Sequence, residues 1–268
     1  VLDFRTGPVE HTLLAGFELS RLADEYKLEV APLPAMALSA PVETASEPLF
    51  IIPNQAGDGR SLTLAPYLVE RLILSEQYQL FLGGRLDAID YEDAPNKIAQ
   101  TFNKFSPMVG LVYVPLPGLS LYGNAGRAFA PPSPRVPGPR DPEQSAQYEV
   151  GAKALLLDGK LNAHLALFNL SKENIAIPDD TGFTAQIGDQ RARGLELELH
   201  ARPAQGWYAQ ATYAYLDAEL THFREILPTP TSVGLVPMLF DRSGNTPAFA
   251  PEHLASLWAA RDFGAALT

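Results

Sequence analysis

The sequence predicts an all-β chain: a transmembrane, antiparallel, up-and-down β-barrel with about ten strands present. Three observations predict it. Apolar and polar side chains alternate with a period of two through most segments. The alternating runs are 11–15 residues long, whereas a strand of a soluble domain has about 5–6 residues and a tilted strand crossing a bilayer about 9–11. The connections between runs are short and long in turn, the pattern of outer-membrane barrels with tight turns at one end and loops at the other.

The strands are expected at 9–22, 61–75, 77–91, 103–114, 118–128, 144–157, 160–174, 190–202, 207–221 and 251–263. In 77–91, Tyr78, Leu80, Leu82 and Leu86 alternate with Gln79, Arg85 and Asp87. In 144–157, Tyr148 and Val150 alternate with Glu149 and Lys153. Leu195, Leu197 and Leu199 alternate with Glu196, Glu198 and His200, and Trp207, Ala211 and Tyr213 with Gln210 and Thr212. By this phase Leu80, Leu197 and Ala211 face lipid near the bilayer midplane. Gln79, Arg85, Asp87, Glu149, Lys153, Glu196 and Glu198 face a wet lumen, where they would line the pore and contact a plug.

The short connections are Ser75-Glu76, Pro115-Leu116-Pro117, Asp158-Gly159 and Pro203-Ala204-Gln205-Gly206. Asp-Gly supplies the positive φ of a hairpin turn and Pro presets φ at a corner. The long ones are 23–60, 92–102, 129–143, 175–189 and 222–250. Tyr78, Tyr113, Tyr148, Trp207 and Trp258 lie toward strand ends, where a girdle at headgroup level would sit.

Composition narrows the function classes. A net charge of −11 over 268 residues argues against a nucleic-acid partner, which needs a basic face. The absence of Cys excludes disulfides, thiolate metal sites and Cys nucleophiles. The 24 prolines argue against a helical bundle, and no run of 18 apolar residues could form a spanning helix. No nucleophile elbow, His-Glu-x-x-His, phosphate loop or dinucleotide fingerprint occurs, so neither enzyme, cofactor nor resident metal is expected. The carboxylates Asp87, Asp90, Glu92 and Asp93, and the pair Asp179-Asp180, could hold Ca²⁺ at an outer loop, although solvated loop acids are the commoner case. Aromatic and Arg residues of the long loops are the ligand candidates: Tyr91, Phe129, Arg135, Arg140, Phe183, Arg224, Phe240 and Arg242. Rings supply contact area and guanidinium groups supply charge-assisted hydrogen bonds to an anionic ligand.

An ordered series of short stretches runs the length of the chain. It begins with Thr6-Gly7-Pro8-Val9-Glu10-His11 and continues through Phe105-Ser106-Pro107-Met108-Val109-Gly110-Leu111 and Gln147-Tyr148-Glu149-Val150-Gly151-Ala152-Lys153. Arg191-Ala192-Arg193-Gly194-Leu195-Glu196, Tyr213-Ala214-Tyr215-Leu216-Asp217 and Pro251-Glu252-His253 complete it, and in this order the series resembles TonB-dependent outer-membrane receptors of the ferric-siderophore type. The resemblance implies a 22-stranded barrel around a plug domain, with ferric siderophore bound at outer loops and moved by the TonB energy-coupling complex. It places residues 1–268 as a partial barrel domain in outer-membrane lipid, with the plug, the TonB-contact segment and the terminal strands outside this sequence. A passive outer-membrane pore, a structural barrel, or uptake of cobalamin, haem or sugar are the alternatives.

Overall fold

The computed structural model describes residues 1–31, 39, 52–130, 141–179, 182–232 and 234–264. The strands are β1 (Leu2–Thr6), β2 (Val9–Val30), β3 (Ile52–Ile73), β4 (Tyr78–Asp93), β5 (Ile98–Leu116), β6 (Leu119–Ala130), β7 (Glu143–Leu156), β8 (Leu161–Asp179), β9 (Gly182–Ala201), β10 (Trp207–His222), β11 (Arg224–Thr231), β12 (Gly234–Asp241) and β13 (His253–Arg261). Eleven of them form one antiparallel sheet in the order β1 to β10 followed by β13. Chain neighbours are therefore sheet neighbours, which is an up-and-down topology. β1 and β13 are the two edges, and β11 and β12 pair with each other as a hairpin between β10 and β13.

Each of the ten expected strands is present, and three more accompany them. β1 folds back on β2 through Gly7-Pro8, with Gly7 at a φ of 62°. β11 and β12 occupy what reads in the sequence as loop 222–250. The segments 92–93, 98–102, 175–179 and 182–189 are also strand, with 94–97 as the tip of the β4–β5 hairpin. Polar side chains hide the period-two signal in these segments. Pairing two such strands satisfies their backbone N–H and C=O groups against each other, so the hairpins continue past the apolar band.

Directly opposed residues share a face, so the register carries the face assignment from strand to strand. Gln79, Arg85 and Asp87 oppose Val112, Ser106 and Lys104. Glu149 opposes Asn124, Lys153 opposes Ser120 and His164, and Glu198 opposes His164 and Thr212. Glu196 stands between Ala166 and Ala214. All seven lie on one polar face. On the other, Leu80 stands between Leu72 and Leu111, Leu197 between Leu165 and Tyr213, and Ala211 between Leu199 and Leu257.

Aromatic rings bound this apolar face. Near the turn end Tyr78 stacks on Tyr113 at 4.8 Å, and the Arg261 guanidinium lies 5.2 Å from the Trp207 ring. Tyr215 is eight residues beyond Trp207 on β10, about 20 Å along the normal at ~3.3 Å per residue and a tilt of ~40°. Past that level the same face carries charges on six of the strands, with Arg21, Arg60, Asp90, Arg127, Arg193 and Asp217. Trp258 departs from the girdle reading: it opposes Gln210 on the polar face. Alternation along β13 fixes this, because the outward positions are His253, Ala255, Leu257 and Ala259.

On the polar face, bulky rings lie over glycines. Tyr67 opposes Gly16, Tyr122 opposes Gly151 and Phe168 opposes Gly194. A Cβ at any of the three glycines would strike the ring across from it. Each ring thus covers its neighbour's bare backbone, which fixes the ring and shields the ladder.

Depth on the apolar face yields a graded prediction. Ala211 is midway between Trp207 and Tyr215, whereas Leu80 is two residues from the Tyr78–Tyr113 stack. Ala211→Arg should cost about 2–4 kcal/mol and Leu80→Arg about 1 kcal/mol or less. Denaturant titration of the refolded barrel in lipid vesicles measures both; equal costs would contradict the depth order.

Candidate functional site

The polar face forms a trough of about 1030 Å³ running across β2 to β8, lined among others by Glu18, Tyr67, Arg85, Tyr122, Gln147 and Lys153. Alternation along long strands brings these side chains to one side, and the register sets which of them meet. Arg85 donates through Nη1 to Glu18 at 2.7 Å and through Nε to Asp87 at 2.8 Å. Asp87 is almost wholly buried, so this guanidinium satisfies a carboxylate that would otherwise be costly to hide.

A second network centres on Glu149. The Tyr122 hydroxyl donates to its Oε1 at 2.7 Å, Gln147 Nε2 donates to Oε2 at 3.2 Å, and His164 Nε2 is 2.8 Å from the same hydroxyl. The Lys153 ammonium lies 5.7 Å from the Tyr122 ring centroid. Farther along the face His200 Nε2 is 2.7 Å from Glu198. Sequence reasoning found Glu149 and Lys153 but missed Tyr122, His164 and Glu18. Their phase was readable. Their convergence depends on strand pairing, which the phase alone does not give. Such groups can hold a protein surface by charge and hydrogen bonding.

The ligand candidates fall into separate groups. Tyr91 and Phe129 are not loop residues: they lie on β4 and β6. Tyr91 is 5% exposed and packs with Ile89 and Phe102, and Phe129 and Ile98 lean on the same cluster. Beyond the apolar band these rings exclude water from each other. Arg224, Phe240 and Arg242 meet at the root of the β11–β12 hairpin. Arg224 Nε is 3.3 Å from Asp241, Arg242 Nε is 2.7 Å from Glu225, and the Arg242 guanidinium is 5.1 Å from the Phe240 ring. The Ser243 hydroxyl and backbone N–H, with Arg224, hold the Asp241 carboxyl below its ordinary range. Phe183 opposes Pro178 at the β8–β9 tip. Arg135, Arg140 and Asp180 lie outside the described residues.

The acids of β4 do not converge on a cation. Asp87 and Asp93 face one side, and Asp90 and Glu92 the other. Each aspartate accepts from the protein itself: Asp87 from Arg85, Asp90 from the Thr101 hydroxyl at 2.9 Å, and Asp93 from Asn96 Nδ2 at 2.6 Å. Asp93, fully buried, also takes the Asp58 backbone N–H at 3.4 Å, and so fastens the 94–97 tip to β3.

Burial, and then the charges of Asp93, Tyr26 and Asp24, push the Tyr91 phenol up to about 12. A raised acid favours the neutral form in the folded state. The stability this gives is complete below an ordinary tyrosine pKa of about 10 and is lost as pH rises through about 12. Tyrosinate absorbance of the wild type minus that of Tyr91→Phe should titrate near the higher value; a component near the ordinary value would contradict this packing.

Comparison with known proteins agrees with this architecture. The TonB dependent receptor-like, beta-barrel family matches residues 2–267. The ferrichrome outer membrane transporter/phage receptor of Escherichia coli is 30% identical over 273 residues, covering 96% of this chain and 34% of that protein. The metal-pseudopaline receptor of Pseudomonas aeruginosa is 29% identical over 237 residues, covering 82% of this chain and 33% of its own length. The chain thus spans about a third of these relatives. Among solved structures, the ferripyoverdine receptor of Pseudomonas aeruginosa bound to ferripyoverdine superposes with a TM-score of 0.71 at 23% identity, covering 99% of this chain and 35% of that one. The ferric-catecholate import receptor of Escherichia coli gives 0.70 at 20% identity, covering 96% and 40%. The all-β class, the up-and-down order and the family resemblance read from the sequence all hold, and this chain belongs to the TonB-dependent receptor-like β-barrel family.

Proposed function

We propose that this chain is part of an outer-membrane receptor that binds a ferric siderophore from outside and imports it with energy from the TonB complex. The observation that carries the reading is the division of one long-stranded sheet into an apolar, aromatic-bounded face and a polar trough. Its long connections and projecting hairpins emerge at a single end, as expected of an outer-membrane barrel. The ferrichrome transporter and the metal-pseudopaline receptor among its relatives, and the ferripyoverdine and ferric-catecholate receptors it superposes on, support the choice of cargo.

In this reading the apolar face meets outer-membrane lipid. The receptor's own plug rests on the polar face, met by Gln79, Arg85, Asp87, Glu149, Lys153, Glu196 and Glu198. The siderophore is taken at the outer end, where Arg224, Phe240 and Arg242 stand at the hairpin root, Phe129 and Phe183 lie on the outer ends of β6 and β9, and Arg135 and Arg140 belong to the connection after β6. The activity is transport, with the ferric complex as cargo and no catalytic group or cofactor required. Arg and aromatic side chains suit a large, anionic iron chelate.

Deleting the gene for the whole receptor from its host should abolish uptake of one iron-radiolabelled siderophore. Collapsing the proton-motive force with a protonophore in the undeleted host should abolish the same uptake. Uptake that survives the protonophore, or ion conductance through the purified whole protein in a planar bilayer, would favour a passive pore instead. Loss of haem or cobalamin uptake alone would reassign the cargo.

A further inference from the structure

We propose that Thr6, His11 and Glu70 form an ester-hydrolysing site that cleaves an acyl ester of a membrane glycerophospholipid, an activity separate from transport. The site rests on the reading above that the apolar face meets the outer membrane.

His11 is 5 positions from Thr6 and 59 from Glu70, and only the pairing of β1, β2 and β3 brings the three together. Thr6 opposes Val9, His11 opposes Phe4 and Leu72, and Leu13 opposes Glu70. Thr6, His11 and Glu70 therefore stand on one diagonal of the apolar face. The Thr6 hydroxyl oxygen is 2.6 Å from His11 Nε2, and His11 Nδ1 is 2.7 Å from Glu70 Oε1. The Phe4 ring stacks on the imidazole at 4.5 Å and 7°, which fixes its plane. The adjacent charges, Arg5 and Glu10, pair with each other on the polar face.

Glu70 is out of place on a lipid-facing surface. It opposes Leu13 and Leu82, and Leu82 is four residues past Tyr78, as deep as Ala211 is past Trp207. Among the described residues it is the one carboxylate on this face between the turn-end rings and the outer charges. A carboxylate in hydrocarbon is expensive and is kept where it has a role. Thr6 stands at the other end of the diagonal, exposed beside the turn. Glu10 opposes Ile73 and Ile73 opposes Gln79, so this turn is level with the Tyr78–Tyr113 stack, where the esters of a leaflet meet water.

The order carboxylate, imidazole, hydroxyl assigns the roles. A carboxylate only accepts, so Nδ1 carries the proton toward Glu70 and bare Nε2 accepts from the Thr6 hydroxyl. Thr6 Oγ1 attacks the ester carbonyl carbon as its proton passes to Nε2. The oxyanion forms beside the Gly7 N–H, which follows the nucleophile and lies outside the ladder, whose last pair is Thr6 with Val9. A Cβ at Gly7 would meet nothing within 4 Å, so the approach is open. The bond from the acyl carbon to the glycerol oxygen then breaks, and that oxygen takes the proton from Nε2, leaving a lysophospholipid and an acyl-threonine. Water, losing a proton to Nε2, attacks the acyl carbon. Thr6 Oγ1 leaves with that proton, and a fatty acid is released.

The test uses the whole receptor, purified and reconstituted into phosphatidylethanolamine vesicles, with insertion followed by its altered gel mobility on heating. The wild type should release fatty acid and lysophosphatidylethanolamine in equal amounts by mass spectrometry, and a fluorophosphonate probe should label Thr6. Thr6→Ala should abolish both signals, Thr6→Ser should keep them, and Glu70→Gln should slow release about 100-fold or more. Thr12→Val, which removes the hydroxyl that donates to Asp3 on the polar face, should change neither. Release by the wild type no faster than by Thr6→Ala, or labelling at another residue, would overturn the site. Failure of the wild type to insert would overturn the membrane reading and the site with it, whereas insertion without release would overturn the site alone.

Discussion

The ladder of backbone hydrogen bonds between antiparallel neighbours is the constraint on which everything else in this chain depends. In hydrocarbon an unpaired N–H or C=O has no water to turn to and costs several kcal/mol. Each strand from β2 to β10 is therefore paired on both sides, and the pairing fixes the register. Once the register is set, a side chain has only two places to point. The apolar face, the polar trough and the aromatic boundary are three consequences of that choice. Short turns such as Asp158-Gly159, with Asp158 and Gly159 at φ values of 55° and 82°, hold the register by allowing little slack.

The polar face holds its order without a conventional core. Rings of Tyr67, Tyr122 and Phe168 lie flat over glycines on the next strand, and carboxylates are met by named donors. Arg85 joins Glu18 of β2 to Asp87 of its own strand. Tyr122 of β6 joins Glu149 of β7 and His164 of β8. These cross-strand links stiffen the trough in the direction the backbone ladder leaves most free to bend.

Above the band the organisation changes. Ile89, Tyr91 and Phe102 form a small dry cluster, and Asp93 with Asn96 closes the adjacent tip. The β4–β5 hairpin thereby becomes a rigid projection. Arg224, Phe240 and Arg242 instead sit at the base of a hairpin with exposed apolar residues such as Leu239. A compact hairpin therefore stands beside one that leaves apolar side chains exposed.

The two-residue period, the run lengths and the turn chemistry were enough to determine the class, ten of the strands and the side to which Leu80, Ala211, Glu149 and Glu196 turn. These are local properties, because alternation is built into the extended backbone. The ordered short stretches were likewise enough for the family. Register, extension and burial were not local. Whether 92–102 is a loop or two strands depends on a partner being available to pair with it. Whether Tyr91 meets a ligand or a core depends on where Ile89, Phe102 and Phe129 are carried by three strands. The turn of Trp258 toward the polar face, and the meeting of Tyr122 with His164 across β7, were decided only when the strands came together, because contact between residues far apart in the chain is a property of the sheet and not of any one strand.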